Sequence, residues 1–339
     1  MGKVFKILSI DGGGIKGLYS ATILKKFEEK FNCYTSDHFD MICGTSTGGL
    51  IALALSLKIS AEDICNFYEE KGEIIFPTHK KIKIPFLKIM DYGFFKQTLK
   101  GGKYSDVGLK QSLVEIFGDK KIKDCNNLLC IPSYSITEAK PKVFKFDHVD
   151  GELSRDNLAP IVDIALATSA APTYFPLAEI EYYNNEQFID GGVWANNPTL
   201  VGLLEALDYF VGVNKEYDSI EILSLSSLSL TGGKKVGLKR ERSFVDWGAE
   251  LFETSMNGQS HFSNFFLTKI KEMCNVNIKY LRIPSAKISK EQESLVQLDI
   301  ATKDALNLMK IKANDQALEF EKEEQIKKIF TIQKTYKVK

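Results

Sequence analysis

Phe39-Asp40-Met41-Ile42-Cys43-Gly44-Thr45-Ser46-Thr47-Gly48-Gly49-Leu50 is the stretch on which the fold turns. A short buried-type strand meets Gly-x-Ser-x-Gly, and an apolar helix over Leu50 to Leu57 follows. Strand, tight turn and helix in that order form a nucleophile elbow, which holds a serine on a strained turn. Gly44 and Gly48 suit it, because strand and helix backbones approach closely there and a Cβ would clash. A helix starting behind Ser46 adds free N–H groups and positive dipole character, both suited to a developing oxyanion. Gly-x-Ser-x-Gly alone is a weak signal; its strand–turn–helix setting favours the elbow over a plain βα turn. The elbow then requires a base and an oxyanion hole from the rest of the chain.

Upstream, residues 4–10 have the β-branched and apolar content of a buried parallel strand. Asp11-Gly12-Gly13-Gly14-Ile15-Lys16-Gly17 follows, and then a helix from Leu18 to about Phe31 with apolar positions at helical spacing. Gly12-x-Gly14-x-x-Gly17 formally matches the dinucleotide-binding fingerprint between a strand and a helix. That fingerprint also needs an acidic residue ending the second strand, and Gly44-Thr45-Ser46 stands there instead. A Walker loop fails as well, since Leu18 follows Gly17. The glycine loop serves better as an oxyanion hole. Consecutive glycines let the N–H groups of Gly12, Gly13 and Gly14 converge on one point at a helix N-terminus. A tight βα turn alone would need one glycine.

The 339 residues are 44% hydrophobic, enough for one large core. Lys plus Arg and Asp plus Glu number 44 each, so no global field favours DNA or RNA. The six cysteines show no Cys-x-x-Cys and no Cys/His cluster, as in a reduced cytosolic protein, and no metal site or cofactor is implied. The apolar run at the start is too short for a signal peptide and has no cleavage site. Leu50 to Leu57 is far below spanning length, so membrane contact would be peripheral.

Helical periodicity recurs over Ala61 to Lys71 and over Gly108 to Phe117, the latter with Ser105-Asp106 as cap residues. Between them, His79 to Met90 and Asp91 to Phe95 interleave basic and apolar residues. This is either a lid or lipid-touching surface, or an amphipathic insertion with its apolar side in the core. Leu128–Ile136 and Lys142–Phe146 read as a strand pair leading to a loop near Asp150-Gly151, and Ile161–Ser169 as a helix opened by Pro160. Asp190 then ends a short strand ahead of Gly191-Gly192. Such a turn either presents a carboxylate to a neighbour or closes a hairpin.

Of the four histidines, only His261 comes late in the chain, within a long polar helix-like stretch. A Ser-His-Asp triad needs a histidine on a positioned loop there. Hydrolysis would therefore require Asp190 to act directly as base on Ser46.

Together the motifs resemble those of the patatin-like phospholipases: Asp11 to Gly17 for Asp-Gly-Gly-Gly-x-Arg-Gly, Gly44 to Gly48 at the elbow, and Asp190 to Gly192 for Asp-Gly-Gly. Ala170-Ala171-Pro172 and Asn196-Asn197-Pro198 also fit. Lys16 replaces the usual arginine, which keeps the charge but loses the bidentate fork. The resemblance implies a three-layer α/β/α fold with a mostly parallel central sheet. It further implies a Ser46–Asp190 dyad, a Gly12–Gly14 oxyanion hole and cleavage of phospholipid acyl esters. Burial beside Ser46 should raise the aspartate's pKa from about 3.9 toward a useful base.

The expected organisation is a catalytic core over 1–230, with 231–339 packed on the same domain. In the second part, Thr231 to Ser243 is a basic loop that binds an anion or is simply solvated. Phe244 to about Met273 reads as one long helix, Tyr280–Pro284 as a strand, and the end as a charged helix reaching Lys339. That layout resembles bacterial patatin effectors of antiphage defence. The likeness implies a cytoplasmic enzyme acting at the inner membrane surface and activated by a cyclic di- or trinucleotide. A constitutive lipid acyl hydrolase and a non-catalytic nucleotide or lipid binder are the alternatives. An oligomer is compatible with the sequence, and the subunit number is left open.

Overall fold

The computed structural model describes residues 2–78, 81–82, 90–91, 102–148, 154–229, 233, 236–248 and 250–338. Its strands are β1 (Val4–Ile10), β2 (Met41–Gly44), β3 (Lys81–Ile82), β4 (Met90–Asp91), β5 (Leu128–Ser135), β6 (Lys140–Lys145), β7 (Ala178–Ile180), β8 (Glu186–Asp190), β9 (Ser219–Leu225) and β10 (Asn277–Ile283). The main helices are α1 (Gly17–Phe31), α2 (Thr47–Ser56), α3 (Ala61–Ile75), α4 (Val107–Phe117), α5 (Ile161–Ser169), α6 (Thr199–Glu205), α7 (Glu250–Ile270), α8 (Lys303–Phe320) and α9 (Glu324–Thr331).

One eight-stranded sheet runs β10-β9-β1-β2-β5-β8-β7, with β6 also paired to β5. The pairings from β10 through β5 are parallel, and β8, β7 and β6 add antiparallel pairings. Phe5, Ile7, Leu8 and Ile10 of β1 are all fully buried, as a central parallel strand covered on both faces requires. α1 packs on α3 and α8, while α2, α5 and α6 pack on the central strands. The architecture is the expected α/β one with a mostly parallel sheet.

Several boundaries differ from expectation. β9 is not among the strands expected from sequence. Its Glu221 and Ser224 interrupt the apolar run, yet both are buried between β1 and β10. The long helix expected over 244–273 is broken near Gly248, whose φ of +48° is left-handed, so that α7 begins at Glu250. The helix expected to reach Lys339 ends at Thr331, and Ile332 is already extended. Tertiary bonds take over from there: the N–H groups of Thr335 and Tyr336 donate to Oδ1 of buried Asp40 at 2.9 and 2.7 Å. The basic and apolar stretch over 79–95 lies outside the described residues, except that β3 and β4 pair antiparallel. The loop near Asp150-Gly151 and parts of Thr231–Ser243 lie outside them too.

Candidate active site

Parallel pairing of Ile10 with Gly44 places the residues after β1 and β2 side by side. Ser46 then sits between β2 and α2 with φ 54° and ψ −125°, a strained conformation for a residue with a Cβ. The strain is held from several sides. A Cβ on Gly44 would strike the Gly48 carbonyl, and one on Gly48 would strike that of Ile10. The Ser46 N–H donates to Thr168 Oγ1 at 3.0 Å, and Thr168 in turn donates to the Pro132 carbonyl at 2.6 Å. Thr45 Oγ1 donates to the Ala195 carbonyl at 2.6 Å.

Asp190 arrives from the antiparallel side, where β8 pairs with β5 and Ser133 lies opposite it. Its N–H donates to the Ala170 carbonyl at 2.9 Å, and its Oδ1 accepts the Gly192 N–H at 2.6 Å. Gly191 must lack a Cβ because the Pro132 carbonyl occupies that space. The Asp190 carboxyl and the Ser46 side chain line the same slot, close enough for the hydroxyl to favour the ionised carboxylate. Ser46 is 7% exposed and Asp190 1%, so burial pushes the Asp190 carboxyl up to about 7 against the opposing bonds from Ser46 and Gly192. A buried carboxylate beside a serine hydroxyl and titrating near neutrality can take a proton from it.

The glycine loop lies against this pair, with one departure from expectation. The Gly12 N–H donates to the Asn196 carbonyl at 3.0 Å and is therefore not free for an oxyanion. Gly12 instead lets the loop approach, since a Cβ there would stand 3.3 Å from the Ser46 Cβ. The N–H groups of Gly13 and Gly14 donate to no described residue. Gly14, with φ +58°, lines the same slot as Ser46 and Asp190. A Cβ on it would run into the Leu298 carbonyl, which also accepts the Ile15 N–H at 2.9 Å. Gly17 is crowded by Thr47 and Tyr68. Lys16 is buried, and that burial lowers its pKa although Glu253 and Asp299 pull it upward.

Around the pair is an apolar slot of about 50 Å³, walled by Phe67, Phe76, Phe175, Phe252 and Met256 among others. None of the described histidines lines it. His38 Nδ1 lies 3.0 Å from the Ile332 carbonyl, His148 pairs with Glu205, and His261 is exposed on α7; His79 lies outside the described residues.

Two partners had no local signal in the sequence. Thr168, within an apolar helix, reads as core. Arg282 lies far along the chain, yet it forms a two-pronged ion pair with Asp11 at 2.6 and 3.2 Å and donates to Ser224.

Residues 8–203 match the patatin-like phospholipase family, which covers more than half of the chain. The chain belongs to that family. A cGAMP-activated phospholipase from Pseudomonas aeruginosa is 29% identical over 92% of this chain and 88% of its own. Patatin-like protein 2 from Arabidopsis thaliana is 30% identical over 94% and 83%. A second cGAMP-activated phospholipase, from Escherichia coli, is 26% identical over 96% and 92%. As a patatin-like phospholipase the protein is a lipid acyl hydrolase, and the slot beside Ser46 has the apolar lining that acyl chains require. No helix among the described residues is long and apolar enough to cross a membrane.

Proposed function

We propose that the protein cleaves acyl esters of membrane phospholipids with Ser46 as nucleophile and Asp190 as base, and that a cyclic nucleotide switches it on. The observation carrying the dyad is a buried carboxylate, Asp190, in the same slot as a serine on a strained elbow. Asp190 takes the hydroxyl proton as Ser46 Oγ attacks the ester carbonyl. The N–H groups of Gly13 and Gly14, with that of Thr47 at the start of α2, receive the oxyanion. Asp190 then returns the proton to the departing alcohol, and the acyl chain stays on Ser46. Water, deprotonated by Asp190, releases the fatty acid and restores the serine.

Nucleotide control draws support from the names of two relatives that span nearly the whole chain. It also draws on α7, whose Phe252 and Met256 wall the slot beside Ser46. The enzyme would work at the inner face of the membrane, in peripheral contact with its substrate.

The test is fatty acid release from mixed phospholipid vesicles, with and without cyclic GMP–AMP, for wild type, Ser46→Ala and Asp190→Asn. Release that needs both side chains supports the dyad, and dependence on the nucleotide supports the switch. Equal release by all three proteins overturns the dyad. Full release without nucleotide leaves a constitutive hydrolase.

A further inference from the structure

We infer that the polar cavity behind the glycine loop is a regulatory site for a cyclic dinucleotide; this rests on the nucleotide-activation reading above. The cavity measures about 410 Å³, within the range of small-molecule sites and unlike the tight apolar slot. Its walls come from the ends of β1, β9 and β10 and from one side of α7.

The lining fits an anion that carries many hydrogen-bonding groups. The side-chain amides of Asn257 and Asn264 and the hydroxyls of Ser229 and Ser260 supply donors, while the hydroxyls of Ser226, Ser227 and Ser285 donate to protein carbonyls and offer acceptors. Asp11 is the one carboxylate among the described lining residues, and it is matched by Arg282 at 2.6 Å. A phosphodiester entering the cavity therefore meets amide and hydroxyl donors, with the Asp11 charge already matched and no unpaired carboxylate to repel it. His261, exposed at the edge on α7, faces the same space.

What makes the site regulatory is the wall it shares with the catalytic slot. Ser227 Oγ donates to the Gly12 carbonyl at 2.9 Å, on the loop whose next two amides point to no described acceptor. Asn196 accepts the Gly12 N–H through its carbonyl and donates from Nδ2 to Ser260 at 3.0 Å. α7 completes the partition: Phe252 and Met256 close the slot, while Asn257, Ser260 and His261 line the cavity. A ligand that binds more tightly when α7 is displaced shifts the population toward an open slot.

Calorimetric titration of the full chain with cyclic GMP–AMP, cyclic di-GMP and cyclic di-AMP tests this. Variants are Asn257→Leu, His261→Leu and Ser46→Ala, each checked for an unchanged melting midpoint. One of the nucleotides should bind wild type and Ser46→Ala alike. Asn257→Leu and His261→Leu should each weaken it about tenfold or more, as loss of a hydrogen bond to an anion implies. Binding unmoved by both leucine variants, or lost in Ser46→Ala, overturns this location while leaving nucleotide control standing. No binding of any of the three to wild type overturns both.

Discussion

The Asp190 carboxyl is buried beside the Ser46 side chain, and the consequence is a pH signature. The Asp190 carboxyl titrates near 7 in the fold against 3.8 when unperturbed, chiefly because it is buried. As base it must be ionised, so kcat/KM should rise tenfold per pH unit below about 7 and level off above. A flat profile from pH 5.5 to 8.5 would exclude it. Stability runs the other way. The fold holds this proton more tightly than the unfolded chain, a contribution present in full below about pH 4 and lost as pH rises through 7. Asp190→Asn cannot ionise, so at pH 8 it should be inactive yet more stable than wild type, by at most about 4 kcal/mol. Thr168 offers a second test. Thr168→Val leaves the Ser46 N–H unpaired at a cost of about 1–3 kcal/mol. kcat should fall with KM nearly unchanged, and Thr168→Ser should restore it. The two proposed residues were legible as candidates because each sits in a short glycine-marked turn. Thr168 was not, since its role depends on where its side chain points.

At the scale of elements, the elbow and α7 make opposite demands on glycine. Gly48→Ala drives a methyl into the Ile10 and Asp11 carbonyls and should cost at least about 1–3 kcal/mol along with the activity. Gly258, on α7, has open space around its Cβ position, so Gly258→Ala should stabilise by about 0.5–1 kcal/mol. Chemical denaturation of the two variants checks both signs. α5, buried on nearly every side, was legible as an apolar run behind Pro160, and periodicity in the sequence located α1, α3 and α4 well. It missed the break at Gly248 and the end of the last helix at Thr331. The first depends on one left-handed residue, and the second on backbone bonds to Asp40 from the opposite end of the chain.

For the molecule as a whole, the C-terminal segment supports the interior. Ile326, Ile329 and Phe330 of α9 are essentially fully buried, and Phe330 stacks on Phe31. Burial of three such side chains stabilises by about 5–9 kcal/mol. That rivals the entire stability of a typical domain. Deleting residues 324–339 should therefore abolish cooperative unfolding, whereas Ile329→Val should cost only about 0.5–1.5 kcal/mol. Circular dichroism melts distinguish the two. Long-range partnerships of this kind left no trace in local pattern: β9 between β1 and β10, Arg282 on Asp11, and Leu298 on the glycine loop.

The clamp on the glycine loop also sets an order in time. The Ile15 N–H waits for the carbonyl of Leu298, and β1 waits for β9 to cover its open edge. A nascent chain carries Ser46 and Asp190 out of the ribosome well before either partner emerges. The loop beside Ser46 is secured only after Leu298 has emerged. A stalled fragment ending before β9 should thus release no fatty acid from lipids, even with Ser46 and Asp190 both in place.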